Sequence, residues 1–280
     1  MREPCRKRTG AVTVAPGAGP GGVAGPLLRS PQMSDGVAPN NSTGEERQFV
    51  HFAFYRVDRA WRGLPADERE AGKAELAAAV EEHGERFPVR AYSTAGLRAD
   101  ADFMLWKVSE RIEDFQDLST AMVSTALGPY LETPYAYLSM TRRSQYVKGE
   151  GRSAHKRGRV VWDPDSKYLL VYPMVKLREW YRLSQPARQG IMNEHIATGH
   201  RFPTVKINTT YSFGIDDQEF VVAFETDHVG DFLDLMMALR ETEASRYTER
   251  DTPIFTCISC TIEDALRAMG GAAIGAMEPA

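Results

Sequence analysis

Three stretches of this chain carry residue types at spacings that chemistry could use. The segment KYLLVYPMVK, residues 167–176, alternates as a strand. Tyr168, Leu170, Tyr172, Met174 and Lys176 share one face, and Leu169, Val171, Pro173 and Val175 share the other, which reads as core. Tyr172 and Lys176 therefore point the same way, about 13 Å apart along the strand. A phenol and an ammonium in one wall can serve a redox or anion-binding site. They equally suit a half-exposed face on which the lysine snorkels. Pro173 suggests an edge or terminating strand, as at a cavity rim.

A helix follows in SQPARQGIMNEHIATG, with Ser184 as N-cap and Gly199 as its end. Ile191, Met192, His195 and Ile196 form an apolar stripe on it. A histidine in such a stripe is either a hydrogen-bonded core residue or an axial ligand offering a ring nitrogen to a haem iron.

Upstream of both lies RRSQYVKGEGRSAHKRGR, residues 142–159, with seven Lys/Arg and one Glu. It reads as a solvated linker or as a cationic loop over a polyanionic ligand. Within it, His155 is the one side chain whose ordinary pKa suits proton transfer near neutrality. The CISC run, Cys257 to Cys260, resembles a metal or redox pair. It lies in a strand-like stretch, however, where positions three apart face opposite sides, so the two sulfurs diverge.

These residues need a scaffold, and 280 residues can supply one or two domains. The formal net charge of −4 argues against nucleic-acid binding as the main task. No apolar run is long enough to span a membrane. Three cysteines are too few for a disulfide framework and point to a reducing, cytoplasmic setting. Neither a phosphate-binding glycine loop nor a G-x-S-x-G elbow occurs.

Residues 1–45 contain 8 Gly, 6 Pro and 5 Ala but no aromatic residue, the composition of a disordered arm. Their basic start lacks the continuous apolar run of a signal peptide, and Met33 can equally serve as the start of translation. The remainder is an internal duplication. Phe103 is matched by Phe220, and Asp114-Phe115 by Asp231-Phe232, each 117 residues later. Each half reads β-α-β-β-α-β, which predicts an α+β fold of two tandem ferredoxin-like repeats closed into one barrel. The expected boundaries are 46–143 and 163–268 for the repeats, 144–162 for the basic crossover loop, and 269–280 for a disordered tail.

Taken together, YPMVK (Tyr172 to Lys176), Trp180, HIATG (His195 to Gly199) and TPYAYLSMTRRSQY resemble the chlorite-dismutase-like haem protein family over roughly residues 45–268. They are most similar to its coproheme decarboxylase branch, in the actinobacterial form. The resemblance implies a dimeric-type α+β barrel, a ring of five subunits, and a porphyrin in the second repeat, with the first repeat forming the oligomer. It implies coproheme III as both substrate and redox centre, haem b as product, hydrogen peroxide as oxidant, and a transient contact with ferrochelatase. By position, His195 is implied as the proximal iron ligand, Tyr172 as the redox-active tyrosine and Lys176 as a propionate-binding cation. Trp180 lies close to the porphyrin and His155 is the distal base, with Met174, Arg159 and Ser245 as further porphyrin contacts. Ile207 stands roughly where chlorite dismutases carry a distal arginine, which counts against chlorite chemistry and leaves His155 as the polar candidate on that side. Other functions compatible with the resemblance are chlorite dismutation, peroxidation, and haem carriage or sensing without turnover.

Overall fold

The computed structural model describes residues 47–146, 159–160 and 162–270. The expected N-terminal arm, most of the basic loop including His155, and the C-terminal tail beyond Gly270 lie outside the described residues, while Met269, expected in that tail, ends the last helix. Each repeat has the anticipated order. The first runs β1 (Phe49–Val57), α1 (Ala66–Gly84), β2 (Val89–Ser93), β3 (Phe103–Ser109), α2 (Glu113–Val123) and β4 (Leu131–Met140). The second runs β5 (Tyr168–Lys176), a short α3 (Arg178–Arg182), α4 (Gln185–Gly199), β6 (Lys206–Tyr211), β7 (Phe220–Thr226), α5 (Val229–Arg240), β8 (Thr248–Arg250) and β9 (Phe255–Cys260). A final helix, α6 (Ile262–Met269), returns to the first repeat and covers its sheet beside α1.

Within each repeat the strand order is that of a ferredoxin-like unit, β4-β1-β3-β2 and β6-β7-β5-β9, all antiparallel. The two sheets join edge to edge, β2 to β9 and β4 to β6, and close a barrel. Closure leaves few unpaired strand edges for non-native association.

Alternation along the strands separates three cores. Phe52, Trp106, Leu169, Val171, Val221 and Cys257 fill the barrel interior. Outside the first sheet, Leu76 and Val80 of α1 and Phe115, Leu118 and Met122 of α2 pack directly onto Ala53, Tyr55 and Leu105. Outside the second sheet the cover is thinner, with Phe232 and Leu235 of α5 meeting Leu170, Tyr172, Val222 and Phe224.

Two expectations change. Strand β5 is central, paired along Tyr168–Met174 with β7 and along Tyr168–Val171 with β9. Pro173 is tolerated because the β9 ladder stops at Val171 and β8 resumes pairing only at Val175, so no donor is needed at Pro173 on that side. The helix expected over residues 229–243 stops at Arg240 as α5, and a separate 3-10 turn, Glu243–Tyr247, follows it.

Candidate functional site

Of the fifteen residues of α4, Thr198 alone is buried. The helix packs mainly against α5 and the Glu243–Tyr247 turn rather than on the strands. It thus stands off the sheet and leaves a cavity partly open to solvent. Ser184 fixes its start, the side chain accepting from the Ala187 backbone N–H.

The strand side of the cavity is set by register. Tyr172 of β5 is paired with Val222 of β7, and Val222 in turn with Thr209 of β6. Phe224 is flanked in the same way by Leu170 and Ile207. Tyr172 and Thr209 therefore stand about 10 Å apart on one face, two strand spacings. Opposite them, Met192 and His195 reach in from α4, and Met236 and Leu239 from α5. The result is a slot with an imidazole on one wall and Ile207 and Thr209 on the other. Thr209 was not singled out by sequence, although it follows Ile207 by two on an alternating strand. Thr209 thus adds a polar residue to that wall.

His195 has a buried Nδ1 with no hydrogen-bond partner among the described residues. Burial, then the nearby Lys176 charge, holds its pKa down at about 4, so the imidazole is neutral and its one unprotonated ring nitrogen can bind a metal. Lys176 is buried, and its Nζ donates to the Ala244 carbonyl at 3.1 Å and to Thr248 Oγ1 at 3.3 Å. Its charge lies 5.2 Å from the Trp180 ring centre. Burial lowers the lysine to about 8. Ion pairs among the described residues give it no carboxylate partner, so it can neutralise a carboxylate brought by a ligand.

Tyr172 is stacked on Phe224, and its hydroxyl donates weakly to Met236 Sδ at 3.9 Å. Burial raises its pKa above the usual phenol range, so it holds its proton at neutral pH. Trp180 is buried between Tyr146 and Tyr247. Met174 and Ser245 also line the cavity. The Ser245 hydroxyl donates to the Arg240 and Thr242 carbonyls at 2.7 and 2.8 Å, which orders the turn.

The cavity thus brings together Tyr172, Met174, Lys176, Trp180, His195 and Ser245. Arg159 sits elsewhere. It is ion-paired with Glu110 and lines a smaller adjoining cleft with Arg142 and Asn208, sharing Thr209 with the main cavity. Sequence reasoning also missed Arg240 and Asp251, an ion pair in the cavity wall. Nothing in their spacing announces them, because they come from separate elements.

Comparison with known proteins fits this architecture. The family model described as chlorite dismutase matches residues 42–260. The chain belongs to the chlorite dismutase family. A relative described as coproheme decarboxylase, from Mycolicibacterium smegmatis, is 32% identical over 176 residues, spanning 62% of this chain and 74% of that protein. An arginine-to-alanine mutant of chlorite dismutase from Candidatus Nitrospira defluvii superposes with a TM-score of 0.73 at 28% identity, covering 81% of this chain and 97% of its own. A heme-binding protein from Thermus thermophilus gives 0.70 at 25% identity, covering 80% and 95%. For this chlorite dismutase family chain, the cavity between α4 and the second sheet is the candidate active site. An iron porphyrin fits its residues: a neutral His195 with an unpartnered nitrogen, apolar walls from Met192, Val222, Phe224 and Leu239, and cations at Lys176 and Arg240.

Proposed function

We propose that the protein converts coproheme III to haem b by peroxide-dependent oxidative decarboxylation of two propionates to vinyl groups. The observation that carries this reading is the convergence of Tyr172, Lys176 and His195 on one cavity. Support comes also from the wall facing His195. Among the described residues it presents Ile207 and Thr209 rather than an arginine, and the coproheme decarboxylase from Mycolicibacterium smegmatis is a relative over most of its length.

His195 would bind the substrate iron from the helix side. Lys176 would hold a propionate by a charge-assisted hydrogen bond, exchanging its contacts to Ala244 and Thr248 for the carboxylate. The bound iron, with hydrogen peroxide, supplies the oxidising equivalents. Tyr172 passes a hydrogen atom outward as it is oxidised, and the neutral tyrosyl group then takes one from the propionate β-carbon. The carboxyl group leaves as CO₂ with loss of a further electron. Each propionate thus gives up CO₂, one proton and two electrons, which one hydrogen peroxide and one more proton take up to form two waters. The apolar walls from Met192, Val222, Phe224 and Leu239 limit the radical's contact with bulk water. His155 serves as the base for peroxide, and Trp180 keeps Lys176 in place through its ring. The proposal extends to a five-membered ring of subunits in a cytoplasmic setting, checked by the particle mass in solution.

The test is turnover. Purified protein loaded with coproheme should yield haem b when given hydrogen peroxide, with loss of two CO₂ read by mass spectrometry. Oxygen release from chlorite would favour dismutation instead, and binding without turnover would favour a carrier.

A further inference from the structure

A carboxylate in the wall of a cavity that must admit a ligand with four carboxylates needs a physical reason. Asp251, in the segment between β8 and β9, is such a residue. Its carboxylate is paired with the guanidinium of Arg240 at the end of α5, and both line the cavity. The Asp251 side chain is 16% exposed and that of Arg240 50%. Lys176, the other cation lining the cavity among the described residues, instead donates to neutral oxygens, although the Asp251 and Glu219 charges are near enough to favour its protonated form. The cavity therefore offers one cation bound to neutral groups and one cation that already holds a carboxylate.

We propose that Asp251 is a resident stand-in for a substrate carboxylate: it occupies Arg240 in the free protein and must be displaced for Arg240 to receive a propionate. This rests on the decarboxylase reading given above and adds a specificity-determining residue to it. A free small anion would have to displace Asp251 unaided. A porphyrin anchored at His195 and Lys176 presents its next carboxylate at a high effective concentration and competes within the complex. Asp251 thereby keeps Arg240 oriented and unavailable to stray anions, and lowers the affinity for the carboxylates that do replace it.

The test is equilibrium binding, which is independent of turnover. Iron coproporphyrin III and its tetramethyl ester are titrated into the parental protein, Asp251→Asn and Asp251→Glu at pH 6.5, where Lys176 keeps its proton. Asp251→Asn should bind the tetra-acid about fivefold more tightly, the worth of one partly exposed ion pair. Its affinity for the ester should stay within about twofold of parental, and Asp251→Glu should resemble the parent with both ligands. Asp251→Ser repeats the measurement should Asp251→Asn not fold. Unchanged or weaker binding of the tetra-acid by the neutral variants, or an equal gain for the ester, overturns the role of Asp251. A parental protein that binds and converts coproheme alongside such a result leaves the decarboxylase reading standing. A parental protein that does not bind iron coproporphyrin III overturns both.

Discussion

Lys176 and His195, brought together from β5 and α4, act on each other through the cavity: burial and the lysine charge together hold the imidazole at about pKa 4. The electrostatics thus prepare a neutral metal ligand beside a cation.

Because His195 has a depressed pKa, its neutral form is present throughout the physiological range. Iron-porphyrin binding should be flat from about pH 5 to 7, weaken as the pH falls through about 4 and His195 takes a proton, and weaken again above about 8 as Lys176 loses its charge. His195→Ala should fold, since the Nδ1 it removes makes no hydrogen bond among the described residues, yet lose the histidine-ligated spectrum. An absorbance titration with coproheme checks both. A histidine-type spectrum persisting in the variant would assign the ligand elsewhere.

Replacing Lys176 with Met removes a positive charge next to His195. The His195 titration, followed by NMR of the ligand-free protein, should move upward from about 4. Coproheme affinity should fall about tenfold, as for a lost charge-assisted hydrogen bond. No movement of the histidine would mean that burial alone sets its pKa.

Tyr172→Phe should unfold in urea at nearly the parental midpoint, because the hydroxyl makes one long contact to Met236 Sδ, at 3.9 Å. The variant should bind coproheme and react with peroxide but form almost no vinyl product. Parental rates of haem b formation in this variant would route the radical through another residue, Trp180 first.

Away from the site, Lys107 of β3 faces His51 of β1 beneath α2, fully buried and without a carboxylate among its described contacts. Burial lowers Lys107 to about 7. Its folded-state pKa lies below the unfolded value near 10.4, so the unfolded chain binds the extra proton between those limits. This residue's contribution to stability should therefore rise with pH from about 7 to 10. Lys107→Met should be more stable than the parent at pH 7, by about 2 kcal/mol, with the gap closing toward pH 10. Urea melts at pH 7 and 9.5 measure it, and parallel parental and variant curves would contradict it.

Much of this scaffold is legible in the sequence because a duplication repeats its own landmarks. Phe103 and Phe220, 117 residues apart, each open the third strand of a repeat, and Phe115 and Phe232 are each buried on the helix that follows. The diverging sulfurs of CISC follow from strand alternation: Cys257 points into the barrel and Cys260 outward into the core beneath the first-repeat helices. Tyr172 and Lys176 are legible for the same reason. The slot itself is not, because it depends on how far α4 stands from the sheet, which no local pattern encodes. Arg240 and Asp251 are invisible singly and meaningful only as a pair. Pro173 misleads because sequence shows the missing donor but not the gap between β9 and β8 that accommodates it.

The most direct measurement is mass spectrometry of the porphyrin after coproheme-loaded protein is titrated with hydrogen peroxide. Stepwise loss of two CO₂, through a three-propionate intermediate to haem b, is expected in the parental protein and not in Tyr172→Phe. Coproheme recovered unchanged, or bleached without any vinyl product, would contradict it.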